Sequence, residues 1–271
     1  MKSKNNLRLT QSQGVLSTLK SVEINLIDIC NRSCSFCPQS LLEYTNKTAQ
    51  MELTTLKNIA TDLNNNNYAG RIGFVGHGEP LLYKNLEDAI RLVKHTNPSV
   101  QWIEVVTNGD YLSPLKVKKL EQAGCTNITV SMYDYDISEK IRPMFADSNI
   151  DLVLINCYDD FLKVNRNEIF LNTGNVNINR QCFIPFYKTF IDTTGDVVIC
   201  SNDWQRVGVI GNVNTTSFFE IWNNSKMQQF RKELMHGNRQ HCNPCKHCDV
   251  NGTTYGVESF QTWVNNERTT N

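Results

Sequence analysis

The chain has 271 residues, 40% hydrophobic and 9% aromatic, enough for one large domain or a domain with an appendage and incompatible with global disorder. Its 27 basic and 27 acidic residues cancel to a formal net charge of +0, which disfavours nucleic acid or an anionic membrane as a partner. No apolar run approaches the roughly 18–20 residues of a membrane span, and the polar stretch Met1–Thr10 lacks an apolar h-region, so no secretory signal is expected.

Residues 1–20 read as a polar tail. Val22, Ile24, Leu26 and Ile29 then alternate as a first strand that runs into three cysteines. A helix is expected over Thr54–Leu63, with Leu53, Leu56, Ile59, Ala60 and Leu63 on one face and the Asn64–Asn67 run ending it. Arg71–Val75 is a second strand, stopped by Gly76-His77-Gly78-Glu79-Pro80. The next helix is Asn85–Thr96, with Asn85 as N-cap, Glu87 and Asp88 in the first turn and Lys94 and His95 in the last. Trp102–Thr107 is a third strand ending at Asn108-Gly109, and Ser113-Pro114 opens a helix that Gly124 closes. Ile128–Met132, Leu152–Asn156 and Ile169–Asn172 complete the strands.

Alternating strands and helices from about residue 21 to 175 imply right-handed crossovers and a parallel sheet, too short for an eight-fold barrel but suited to an open or partial one. Chemistry in such sheets sits at the carboxyl ends of the strands, where these special residues fall. After residue 176 the pattern changes. Phe190–Cys200 reads as a β-hairpin turning at Gly195, and Ser217–Leu234 as one helix anchored by Phe218, Ile221, Trp222, Phe230 and Leu234.

The ten cysteines carry the chemical signal. A long chain without an export signal is a poor disulfide scaffold, and clustered cysteines then point to metal or redox chemistry. Cys30, Cys34 and Cys37 form C-x3-C-x2-C, and Cys242, Cys245 and Cys248 form C-x2-C-x2-C. A four-iron cluster normally takes four thiolates. Three leave one iron open to an amine and carboxylate chelate, with zinc as the minor alternative. Cys182, Cys200, Cys245 and Cys248 are able to close a second, four-thiolate site, with Cys242 as a fifth candidate and a zinc ribbon using His241 or His247 as the alternative. Cys125 and Cys157 read as small buried apolar residues.

The run Cys30-Asn31-Arg32-Ser33-Cys34-Ser35-Phe36-Cys37-Pro38 resembles the signature of the radical S-adenosylmethionine (SAM) superfamily. The resemblance implies an α/β fold, a partial (β/α)6 barrel over residues 21–175 followed by a small α+β module over 176–271. It also implies that the cluster and SAM generate a radical that abstracts a substrate hydrogen. By the same resemblance Phe36 lies near the adenine, Gly78, Glu79 and Pro80 form the segment that meets the SAM amino group, and Asn108 and Ser131 lie where ribose or carboxylate is contacted.

Gly195-Asp196, Gly211-Asn212-Val213, Glu220-Ile221-Trp222 and Cys245-Lys246-His247-Cys248 resemble the SPASM/twitch extension of that family. The twitch form holds one auxiliary [4Fe–4S] cluster, here on Cys182, Cys200, Cys245 and Cys248 in preference to Cys242. The likeness extends to aminocyclitol-oxidising members, in which Arg166 falls on an arginine thought to assist alcohol deprotonation; Val106 and Ser201-Asn202-Asp203 depart from those members near the substrate. The expected function is oxidation of a secondary alcohol on a cyclitol or aminosugar, with two [4Fe–4S] clusters, SAM, and a flavodoxin- or ferredoxin-type donor in a reducing cytoplasm. The alternatives are a radical epimerase using Cys242 as hydrogen donor, a peptide-modifying enzyme, and a non-enzymatic iron–sulfur electron carrier.

Overall fold

A computed structural model describes residues 16–45, 48–157, 169 and 179–270. The chain forms two compact units, one of Glu23–Lys163 with Ile191–Gly195, the other of Met1–Val22, Val164–Phe190 and Asp196–Asn271. Among the described residues, no helix is long and apolar enough to cross a membrane.

The first unit holds the parallel strands. Strand β1 (Ser21–Ile24) begins just before it, and β2 (Arg71–Phe74), β3 (Trp102–Thr107), β4 (Asn127–Met132) and β5 (Asp151–Asn156) follow in the spatial order β5-β4-β3-β2-β1. The pairs β2–β3, β3–β4 and β4–β5 are parallel and in continuous register. Ile103 and Val105 on β3 and Ile128 and Val130 on β4 are fully buried, while Glu104, Val106, Thr129 and Ser131 share the opposite face. The expected strand at Ile169–Asn172 lies outside the described residues, Ile169 apart. Strand β1 stops at Ile24 instead of reaching Ile29. Beyond it Asn25, Leu26 and Ile27 turn into a loop, where Met51 N donates to Leu26 O at 2.8 Å and Ile27 bridges Gln50.

The connecting helices form where the sequence places their apolar stripes. Helix α1 (Leu53–Asn65) buries Leu56, Ile59, Ala60 and Leu63, and α2 (Leu86–Thr96) buries Leu86, Ala89, Ile90 and Val93. The asparagine run ends α1 as expected, Asn67 taking the left-handed region at φ 54°. Asn85 stands at the N-cap of α2 but makes no side-chain cap bond. Helix α3 (Pro114–Ala123) is capped at both ends: Ser113 Oγ accepts from Lys116 N at 3.1 Å, and Gly124 closes it at φ 105°. A short helix α4 (Ile137–Ile141) follows β4.

The second unit has helix α5 (Ile184–Tyr187) and strands β6 (Lys188–Ile191), β7 (Asp196–Val198) and β8 (Val209–Asn212) in consecutive order. The turn between β6 and β7 is built as expected around Gly195, at φ 86°. Asp192 Oδ1 stiffens it by accepting from Thr194 N at 2.9 Å and Thr194 Oγ1 at 2.7 Å. The single helix expected over Ser217–Leu234 is two, α6 (Phe218–Asn223) and α7 (Ser225–Met235). Asn224 breaks it: its backbone leaves the helical region at ψ 164°, and its side chain accepts from Met227 N at 2.9 Å as the N-cap of α7. Helix α8 (Val257–Thr270) packs Phe260 against Phe183 and Phe186. Fully buried Arg231 lies between the rings of Trp222 and Trp263, 4.2 Å from each centroid, and donates to Pro185 O and Trp222 O.

Replacing Ser113 by Ala removes the side-chain acceptor at the start of α3 and is expected to cost about 1 kcal/mol, read as a lowered urea midpoint with the far-ultraviolet circular dichroism unchanged.

Candidate active site

The three N-terminal cysteines sit on the loop after β1, all three partly exposed. Their loop is folded by its own main chain: Cys37 N donates to Cys34 O at 2.9 Å, and Ser40 N to Cys37 O at 2.9 Å. Arg32 N points at Cys30 Sγ, 3.4 Å away. Partial burial raises the Cys30 and Cys34 thiols above the ordinary cysteine value, opposed at Cys30 by the Arg32 amide and at Cys34 by the Arg32 guanidinium. Metal binding draws the proton off such thiols.

Arg32 ties this loop to the ends of β3 and β4. Its Nε and a terminal nitrogen reach Asp110 at 2.6 and 2.5 Å, and the same nitrogen reaches Asp134 at 2.7 Å. Asn31 adds a bond to Asp110 at 2.7 Å and accepts from Asn108 Nδ2 at 2.9 Å. The Arg32 hydrogen bonds hold the Asp110 carboxyl below the usual carboxylate range. Arg32 stands inside the Cys30–Pro38 run and Asp110 directly after Asn108-Gly109, and neither carries a role in the sequence reading.

The loop after β2 lies against the loop after β1 at backbone distance. A Cβ on Gly78 would sit 2.2 Å from Ile27 O and 2.6 Å from Ile29 O, and Glu79 N donates to Ile29 O at 2.8 Å. On Gly76 a Cβ would meet the Asn25 side chain, which accepts from His77 N at 3.1 Å. Gln39 Nε2 bridges both loops, donating to Asp28 O at 2.6 Å and His77 O at 3.0 Å. Glu79 is only 2% exposed and begins the turn Pro80–Leu82. Its Oε1 accepts from Thr107 Oγ1 at 2.6 Å and Leu81 N at 3.0 Å, and its Oε2 from Asn108 N at 2.9 Å. Burial raises its pKa while these three donors pull it down. A carboxylate offers about four acceptor positions, so the protein itself engages most of this one.

Phe36 leans on Tyr133, with ring centroids 5.5 Å apart. Ser131, at the end of β4, lies beside Tyr133 and the buried Cys157. The structure therefore gathers Cys30, Cys34, Cys37, Phe36, Gly78, Glu79, Pro80, Asn108 and Ser131 at one end of the parallel strands. Cys125 is elsewhere and inert: burial pushes its thiol up to about 12, and Sγ donates to Asn127 O at 3.2 Å. Arg166 lies outside the described residues.

A second site lies in the other unit. Cys182, Cys200, Cys245 and Cys248 line one cavity, walled by Ile184, Pro185, Ile199, Leu234 and Val250 and bounded by Asn202, Asp203, Arg239 and Pro244. Burial is the largest influence on three of these thiols, and their neighbours add to it. Cys182 is pushed up to about 12, Cys248 to about 11, and Cys245 well above its ordinary value. Cys242 is buried outside this lining, its thiol pushed up to about 11 by burial and Glu233. Among the described residues, no three His, Cys, Asp or Glu side chains stand close enough to grip a single ion. Four thiols around an apolar-walled cavity fit a larger, sulfur-bound cluster, and three on a partly open loop fit one with a vacant coordination position.

Residues 24–152 match the radical SAM superfamily and residues 182–249 the SPASM iron–sulfur cluster-binding domain. The chain therefore carries a radical SAM domain followed by a SPASM domain, and these imply [4Fe–4S] clusters and SAM as its cofactors. It is 29% identical over 232 residues to the S-adenosyl-L-methionine-dependent 2-deoxy-scyllo-inosamine dehydrogenase of Niallia circulans, covering 84% of this chain and 92% of the relative. A shorter match, 33% over 117 residues, is to GTP 3′,8-cyclase of Aquifex aeolicus (strain VF5), covering 42% of this chain and 35% of the relative. The crystal structure of BtrN in complex with AdoMet and 2-DOIA superposes with a TM-score of 0.78 at 27% identity, over 88% of this chain and 96% of that one. Native anSMEcpe with bound AdoMet shares the fold, with a TM-score of 0.63 at 14% identity over 91% and 97% of the two chains.

Gly78→Ala places a methyl group against two main-chain carbonyls that have no side-chain freedom to yield. The variant is expected to lose about 2 kcal/mol or more, read as a thermal midpoint several degrees lower.

Proposed function

We propose that this enzyme oxidises a secondary alcohol of an aminocyclitol or aminosugar to the ketone. The observation that carries this reading is the second thiol set: four cysteines about one cavity, in addition to the three of the loop after β1. A radical generator alone needs only the three. Alcohol oxidation also needs somewhere to send an electron, because the carbon gives up a hydrogen atom, the oxygen a proton, and one electron is left over. The relative that acts on 2-deoxy-scyllo-inosamine and the BtrN complex supply the substrate class.

Cys30, Cys34 and Cys37 would hold the first cluster, and Cys182, Cys200, Cys245 and Cys248 the second. When bound, the first with SAM supplies a hydrogen-abstracting agent, and the second an electron acceptor. The chain's own groups do the positioning. Gly78 lets the loop after β2 approach the cysteine loop, and Glu79 Oε2, which takes one bond from Asn108 N, keeps an acceptor position for the SAM amino group. Asn108 and Ser131 offer polar atoms at the ends of β3 and β4, and Phe36 an aromatic face for adenine. Arg166 is the candidate for steadying the substrate oxygen as its proton leaves. At Val106 and Ser201-Asn202-Asp203 the chain departs from the aminocyclitol-oxidising members, and these are the positions to vary when substrate choice is tested. Oxygen-sensitive clusters call for a reducing cytoplasm, and a flavodoxin or ferredoxin is the partner that would supply the initiating electron.

Anaerobic reconstitution is expected to load about eight irons per chain, as two four-iron clusters require. Reduced protein is then expected to convert an aminocyclitol to its ketone. Cys248→Ala should retain SAM cleavage and lose ketone formation; normal turnover by this variant would overturn the electron-acceptor role. Deuterium on product carbon after turnover in D2O would instead identify an epimerase.

A further inference from the structure

The cavity bounded by the four thiols has a cation in its wall that the reaction described above leaves without a role. Arg239 is 1% exposed, in the short turn Arg239–His241 that follows helix α7. A guanidinium has five N–H donors, and here all five are spent on main-chain carbonyls. Nε donates to Arg180 O at 3.0 Å; one terminal nitrogen donates to Cys248 O at 3.1 Å and Val250 O at 2.7 Å; the other donates to Gln181 O at 3.0 Å and Asn251 O at 2.8 Å.

These acceptors are not scattered. Arg180 and Gln181 immediately precede Cys182, while the other three run from Cys248 to Asn251. One side chain therefore staples together two stretches of chain, far apart in sequence, that each deliver a cavity thiol. Space is kept for it: at Gly252, φ 75°, a Cβ would lie 2.6 Å from Cys182 Sγ and 3.0 Å from the Arg239 guanidinium.

The charge is the second part of the argument. Isolating a cation from water is expensive unless an anion or a dense set of acceptors compensates it. Among the described residues, no carboxylate forms a salt bridge with Arg239; its hydrogen-bond partners are neutral carbonyls. The acid in the cavity lining, Asp203, spends its oxygens on Gly208 N at 2.7 Å and Val207 N at 3.2 Å. An anion in the cavity would complete the balance, and an iron–sulfur cluster held by four thiolates is anionic in either redox state.

We infer that Arg239 is a positioning residue for the auxiliary cluster and its built-in counter-charge, fixing the Cys182 and Cys248 segments and favouring the reduced cluster. The inference rests on the reading of Cys182, Cys200, Cys245 and Cys248 as the cluster's ligands. A cation beside a cluster stabilises the state with the extra electron, so its removal shifts the potential negative.

The test uses the full chain carrying Cys30→Ala, Cys34→Ala and Cys37→Ala, so that about four irons per chain report the auxiliary cluster alone. Arg239→Gln is expected to lose more than half of that iron and to shift the midpoint potential of the remainder, followed by electron paramagnetic resonance, to more negative values. Arg239→Lys keeps the charge but has only three donors. It is expected to hold a potential near the parent's and to lose iron to a chelator several-fold faster, so it decides the matter if Arg239→Gln aggregates. Parental iron retention and potential in both variants would overturn the inference. Cys245→Ala in the same background separates the two layers: its iron loss with unaffected Arg239 variants removes only the role of Arg239, whereas full iron retention by Cys245→Ala removes the ligand assignment and the inference with it.

Discussion

Two loops at the carboxyl ends of neighbouring strands can touch backbone to backbone only if one of them lacks a side chain at the crossing. Gly78 is that residue, with the carbonyls of Ile27 and Ile29 in the space a Cβ would need. The contact lets Glu79 N bond Ile29 O and brings the Glu79 carboxylate beneath the end of β3, where Thr107 and Asn108 donate to it. Burying a carboxylate without such donors would cost several kcal/mol. The loop geometry and the hydrogen bonds therefore depend on one another, and the cysteine loop takes its position from both.

The two units treat their arginines differently. Arg32, partly exposed, is held by Asp110 and Asp134, so its charge is balanced by paired acids at the rim of the barrel strands. Arg231 and Arg239, each 1% exposed, are instead held by aromatic faces or main-chain carbonyls. Carbonyls leave a residual positive field that an acid would cancel. That field is costly where nothing answers it and useful beside a cavity built for an anionic cluster. Arg231, between two tryptophans, fixes α6, α7 and α8 against one another; Arg239 fixes the thiols.

Periodicity carried most of the secondary structure. The apolar stripes of α1, α2 and α3 and the alternation of β3 and β4 were legible because helix and strand periods differ, and Ser113, Pro114 and Gly124 marked the boundaries of α3 by their local capping chemistry. The break at Asn224 was not legible, since the apolar spacing continues through it while the backbone does not. Likewise the early end of β1 depends on Asn25, whose side chain is recruited by His77, 52 positions further on.

The sequence by itself determined which residue types and spacings were available: three thiols within one loop, four more able to close a second site, and glycine where close approach would be needed. These are local properties, readable from chemistry and order along the chain. Only the tertiary structure decided that Asp110 holds Arg32 and that Arg239 joins the segments of Cys182 and Cys248. Each of these is a pairing between stretches brought together by burial of apolar surface elsewhere, and no local pattern in the chain encodes which distant partner a buried polar group will find.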